Sequence, residues 1–98
     1  MKELRTVIVG NNHRPLAAQE RFRAMEENEI LDLVREPDNQ FDPLAIQVHT
    51  LDGAFIGYIP KHSNAALAQE LDAGTPFVAR WVEDRLIVSV DEESSNVD

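Results

Sequence analysis

Apolar positions change period several times along the chain, and each change marks an element. Leu4-Arg5-Thr6-Val7-Ile8-Val9 alternates loosely and is rich in β-branched residues, which predicts a first strand. Gly10-Asn11-Asn12 stops it with turn residues. Pro15 suits the first turn of a helix, and Leu16 to Glu27 is rich in helix formers. Ala18, Phe22 and Met25 fall at helical spacing, so they predict the face that meets the core. Glu29-Ile30-Leu31-Asp32-Leu33-Val34 returns to a strand pattern.

The segment Arg35 to Pro43 breaks all periodicity. Its prolines, aspartates and asparagine leave no regular element possible, so it is a loop. Leu44 to His49 and Ala54 to Ile59 read as paired strands around Leu51-Asp52-Gly53, because Asp-Gly is a strong hairpin signal. Pro60 ends the second of these. Ser63 to Asp72 places Asn64, Leu67, Ala68 and Leu71 on one helical face, with Ser63 as its cap and Gly74 at the C-terminal cap position. Phe77 to Val82 and Arg85 to Val90 flank Glu83-Asp84 as a last hairpin, although that pair is not a favoured turn. Trp81 is expected in the core. The order predicts a mainly β chain with two helices (α+β), arranged as a small six-stranded β-barrel with helices closing its ends. An open α+β sandwich is the alternative.

Length and charge narrow the function. A chain of 98 residues makes one small domain with a modest core and little material for a deep catalytic cavity. The expected layout is a single domain over residues 1–90 and an acidic, flexible tail over 91–98. Acidic side chains number 18 against 9 basic ones, so phosphate contacts must be local and few. Absence of cysteine excludes disulfides and thiolate metal sites. With no apolar leader pattern and no long apolar run, the expectation is a soluble, cytoplasmic protein without a membrane partner.

Enzyme chemistry finds little support. His62 and Ser63 are adjacent, which suits them badly as a nucleophile–base pair, and there is no nucleophile elbow or phosphate-cradling glycine loop. His13, His49 and His62 lack metal-ligand spacing. The expectation is a binding module with no cofactor and no metal.

Two segments can carry recognition. In the loop, Pro37 and Pro43 stiffen the backbone that presents Asn39, Phe41 and Asp42. Phe41 either turns inward as an apolar plug or stands out as a platform for a base or sugar. Asp42 either caps the local backbone or accepts a hydrogen bond from a ligand hydroxyl. Arg35 either pairs with Glu36 or Asp32 or meets a phosphate. In the second segment, Gly57-Tyr58-Ile59-Pro60-Lys61-His62-Ser63 brings a strand end to a helix start. A lysine there is mildly unfavourable to the helix dipole, so Lys61 is either simply solvated or placed for a visiting phosphate, with His62 able to help.

Leu33-Val34-Arg35-Glu36-Pro37-Asp38-Asn39-Gln40-Phe41-Asp42-Pro43-Leu44-Ala45-Ile46-Gln47-Val48, followed by Asp52-Gly53-Ala54-Phe55-Ile56-Gly57-Tyr58-Ile59-Pro60, closely resembles the HIRAN domain. That family occurs as stand-alone bacterial proteins and on Snf-type helicases of DNA-damage tolerance. The resemblance implies an OB/SH3-like small barrel that captures the 3′-hydroxyl end of single-stranded DNA. On that likeness Phe41 stacks on the terminal base, Asp42 bonds the terminal hydroxyl, and Asn39 lies in the pocket loop. Tyr58 falls where helicase members often carry His, and Lys61 where they carry a phosphate-contacting Lys. A helicase or repair protein is then a further partner. One departure stands out. Helicase-type members have an Arg-Tyr-Tyr run after the first strand, whereas this chain has Asn12-His13-Arg14 and then a helix. His13 and Arg14 can both stack on bases, but less well. The competing reading is a protein-interaction module of the same fold without DNA affinity.

Overall fold

The computed structural model describes residues 2–91; of the expected acidic tail, only Asp91 lies within them. Six strands, β1 (Lys2–Thr6), β2 (Glu29–Arg35), β3 (Ile46–Thr50), β4 (Phe55–Tyr58), β5 (Phe77–Val82) and β6 (Arg85–Val90), form one antiparallel sheet. Their order is β1-β6-β5-β2-β3-β4. Two helices, α1 (Leu16–Arg23) and α2 (Asn64–Asp72), are each preceded by a short 3-10 turn, at Asn11–His13 and Lys61–Ser63.

Alternation sets the inner face. Leu31 and Leu33 of β2 are buried while Ile30, Asp32 and Val34 between and beside them are exposed. Ile46 and Val48 of β3, Ile56 of β4, Ala79 and Trp81 of β5, and Leu86, Val88 and Val90 of β6 complete the layer. Helix α2 adds Leu67 and Ala68, and α1 adds the half-buried Phe22, whose ring meets Trp81 edge-on at 5.5 Å. The expected stripe on α1 is therefore used, although the helix ends at Arg23 rather than running to Glu27.

The expected closed barrel is corrected to an open sheet, since β1 and β4 stand at opposite edges of the ladder. The first strand ends at Thr6 instead of Val9, and the chain after it crosses to the far edge. There Val9 and Tyr58 exchange two backbone hydrogen bonds of 2.9 and 2.8 Å, an isolated bridge rather than a strand pair. Gly57 permits this approach. A Cβ at that position would lie 2.6 Å from the Val9 carbonyl oxygen and 2.7 Å from Ile8.

Turn chemistry follows the sequence except at two places. Gly74 takes φ +77°, with its N–H on Leu71 O and that of Thr75 on Glu70 O, which closes α2 in a Schellman motif. Glu83 and Asp84 both adopt positive φ, 50° and 61°, as a two-residue hairpin with the twist of the sheet requires. Sheet pairing there overrides an unfavourable turn pair. Ser63 does not cap α2 through its side chain; its hydroxyl meets Thr6 Oγ1 at 2.9 Å and donates to Pro60 O.

Gly57→Ala is expected to lower stability by about 1–3 kcal/mol through overpacking against a backbone atom. Urea denaturation checks this, with faster amide exchange at Val9 and Tyr58 as the local readout. An unchanged midpoint and unchanged exchange contradict the role given to the bridge.

Candidate nucleic-acid interface

The loop between β2 and β3 keeps its shape by spending its polar groups on itself. Asn39 Oδ1 accepts the backbone N–H groups of Phe41 and Asp42, at 2.8 and 2.9 Å. Its Nδ2 donates to Glu36 Oε2 at 3.2 Å. Glu36 in turn accepts from Gln47 Nε2 and the Tyr58 hydroxyl, both at 2.8 Å on Oε1. One carboxylate thus ties the loop to β3 and β4. These hydrogen bonds, from Gln47 first and then Tyr58 and Asn39, hold the Glu36 carboxyl below its ordinary pKa. Burial first, and the Glu36 partner second, push the Tyr58 phenol up.

The loop backbone satisfied in this way gives Phe41 no polar reason to turn inward. The residue is 89% exposed, so the plug reading is corrected: Phe41 faces outward. Beside it lies a hollow of about 370 Å³ lined by Val9, Asn39, Phe41, Asp42, Ala45, Tyr58, Ile59 and Lys61. Asn39, Phe41, Asp42, Tyr58 and Lys61 are therefore gathered in one place. The lining combines apolar Val9, Ala45 and Ile59 with one carboxylate, one ammonium and one phenol.

Asp42 combines its two readings. One oxygen accepts the Leu44 N–H at 3.0 Å, a local cap, and the other accepts Nδ2 of the buried Asn64 at 2.8 Å. The Leu44 N–H and the Asn64 amide, with Lys61 and Arg35 nearby, lower its pKa. It is therefore ionised at neutral pH. A carboxylate has about four acceptor sites, so two protein donors leave it able to accept from a ligand hydroxyl.

Four expected residues are placed elsewhere. Arg35 bonds Asp72 through Nε at 2.9 Å, and its remaining donors reach the carbonyls of Ala45 and Pro43 at 2.8 and 3.0 Å. It is a brace across the base of the loop, paired with neither Glu36 nor Asp32. Arg14 lies 3.8 Å over the Phe55 ring and donates to the Phe55 carbonyl, so it is committed to β4. His13 is exposed on the first 3-10 turn and does not line the hollow. His62 lines a neighbouring cleft with Arg5, Thr6, Val7, Ser63 and Arg85. Among the described residues no three His, Asp or Glu side chains gather as metal ligands, and no helix is long and apolar enough to cross a membrane.

Sequence reasoning missed Glu36 as the node of the loop and Asn64 as the second hold on Asp42. Asn64 did leave a trace, as a polar residue on the apolar face of α2. Nothing in the spacing marked Val9, whose role comes from the crossing of the sheet edges.

The fold and this loop define a HIRAN domain: the HIRAN family model matches residues 1–93, and the chain belongs to that family. Among particular proteins, a 45-residue segment is 44% identical to the helicase-like transcription factor of Oryctolagus cuniculus. That segment covers 46% of this chain and only 4% of the relative. The crystal structure of the HIRAN domain of human HLTF superposes with a TM-score of 0.76 at 23% identity, covering 96% of this chain and 80% of that one. A Lactobacillus plantarum protein superposes with a TM-score of 0.75 at 22% identity, covering 91% and 95%. At such identities the structural likeness speaks for the fold.

Glu36→Gln replaces two acceptor oxygens by one and sets an NH₂ group against donors. The variant is expected to lose about 1–2 kcal/mol near neutral pH. The folded-state pKa is depressed, so the stability tied to ionised Glu36 is complete above its ordinary value of 4.5 and fades as pH falls below it. Thermal melts across the acid range should show the gap between the native protein and the variant closing below that value. A gap independent of pH contradicts the node.

Proposed function

We propose that the chain is a nucleic-acid-binding module that holds the 3′-hydroxyl end of single-stranded DNA, in a repair or replication-stress setting. Membership of the HIRAN family and the match to a helicase-like transcription factor support nucleic-acid binding in general. The observation that carries the finer reading is the exposed Phe41 ring on the rim of a hollow that also presents Asp42 and Lys61.

In this reading the terminal base stacks on Phe41, which any base can do because each has a π-face. The terminal hydroxyl donates to Asp42, and Lys61 meets the adjoining phosphate. Tyr58 and Asn39 shape the wall, the phenol and the Asn39 Nδ2 group already bound to Glu36 and the Asn39 Oδ1 to the loop backbone. The stiff loop keeps the ordering cost of binding low. Discrimination follows from charge: a terminal phosphate would face an ionised carboxylate. The role is binding and not turnover, and a helicase or repair protein is the natural partner. A second reading, a protein-interaction module without DNA affinity, is favoured by the formal net charge of −9.

Fluorescence anisotropy with oligonucleotides differing only at the 3′ terminus tests the proposal. The hydroxyl end is expected to bind about tenfold or more tighter than the phosphate end, a difference of about 1.4 kcal/mol. Phe41→Ala should cost about 1–3 kcal/mol with either end. Asp42→Asn should shrink the discrimination between the two. Equal affinity for both termini rejects end recognition, and no salt-sensitive affinity at all favours the protein-interaction reading.

A further inference from the structure

The cations of this acidic chain are unevenly committed. Arg21 is held by Glu29 and Asp52, Arg35 by Asp72, and Arg14 by the Phe55 ring. Arg5 and Arg85 differ. Among the described residues Arg5 meets Glu3 at 3.6 Å, with its own side chain 76% exposed, and Arg85 meets the Asp84 carbonyl at 3.3 Å. An exposed ion pair of that length holds an arginine weakly.

These two guanidinium groups are placed together by sheet register. Arg5 of β1 lies opposite Ile87 of β6, and Arg85 is two residues before Ile87, so both arginines share one face as diagonal neighbours. With Thr6, Val7, His62 and Ser63 they line a cleft of about 330 Å³. Among the described residues no carboxylate lines it. A larger hollow of about 530 Å³ shares both arginines and adds Arg80, but it also holds Glu3, Glu83 and Asp84. The carboxylates there offset the positive charge, so the cleft is where an anion is best received.

The cleft adjoins the Phe41 hollow. Lys61 lines the hollow, while the next two residues, His62 and Ser63, line the cleft. Val9 and Val7 divide in the same way on the facing segment. The two depressions thus share the 3-10 turn Lys61–Ser63, which gives its first residue to one and its last two to the other.

We infer that the cleft between Arg5, Arg85 and His62 is a second phosphate subsite, which takes the backbone of a single strand a few nucleotides inward from an end held at Phe41. This rests on the end-binding reading. It also fixes the direction of the strand: the chain leaves the hollow past Lys61, crosses the 3-10 turn, and runs toward the β1–β6 edge. Arg5 and Arg85 supply the charge and the donors, while the Thr6 and Ser63 hydroxyls, already bonded to each other and to Pro60 O, form part of the wall.

The test uses the full chain and thymidine oligomers of increasing length, all with a 3′ hydroxyl, titrated by anisotropy at several salt concentrations. For the native protein, affinity should step upward once the oligomer is long enough to leave the hollow. Arg5→Gln/Arg85→Gln should remove that step and lower affinity for the longer oligomers about tenfold. Its salt slope should fall by about 1.4, the value for two lost contacts to a single strand. Its preference for a hydroxyl over a phosphate terminus should be retained, and Arg5→Lys/Arg85→Lys should recover most of the step. Both arginines are exposed, and melting curves confirm that the variants are folded. If the double Gln variant keeps the native length dependence and salt slope, the subsite is overturned while end recognition stands. If the native protein binds long oligomers without preferring a free 3′ hydroxyl but still loses that affinity on the arginine changes, the end reading fails and the basic cleft stands. If the native protein binds no oligomer, both fail.

Discussion

The placement of Phe41 depends on one hydrogen-bonded carboxylate, Glu36. It accepts from Asn39, Gln47 and Tyr58, and so joins the loop to two neighbouring strands. The Asn39 carboxamide then takes the two N–H groups that bracket the aromatic residue. A loop whose backbone donors are satisfied locally has no polar reason to fold inward. Its ring is left outside even though burial of a phenylalanine is worth about 1.5–3 kcal/mol.

Two longer-range constraints place that loop against a hollow. The Val9–Tyr58 bridge draws the chain after β1 to the far edge of the sheet and makes one wall. Gly57 makes this approach possible, because any side chain would meet the Val9 carbonyl. On the opposite side, α2 offers the buried Asn64 to Asp42, so the carboxylate is oriented from the helix as well as from its own loop. Arg35 braces the base of the loop by bonding Asp72 and two carbonyls. The site is therefore made of short-range capping on a frame set by edge-to-edge contact.

Much of this was legible in the residues. The last hairpin has the strand limits read from its alternation, and α2 buries Asn64, Leu67 and Ala68 as its spacing requires. The block from Leu33 to Pro60 was specific enough to indicate the family. What could not be read was anything set by distant parts of the chain. The open sheet, with a one-residue bridge in place of closure, depends on how far β1 and β4 stand apart. The partner of Arg35 comes from α2, 37 residues onward, where local charge pairing suggests Glu36 or Asp32. Arg14 stacks on a ring from β4, an arrangement no neighbouring residue announces. Phe41 had two readings in sequence because exposure depends on whether the interior has room.

The central claim is that this outward ring is a contact surface for the last base of a strand. Intermolecular NOEs between the Phe41 ring protons and a short single-stranded oligonucleotide, labelled so that terminal and internal bases are told apart, test it most directly. Contacts from the 3′-terminal base to the Phe41 ring, with shift changes at Asn39, Asp42 and Lys61, are the result this account predicts. Contacts confined to internal bases, or shift changes elsewhere with Phe41 unaffected, would contradict it.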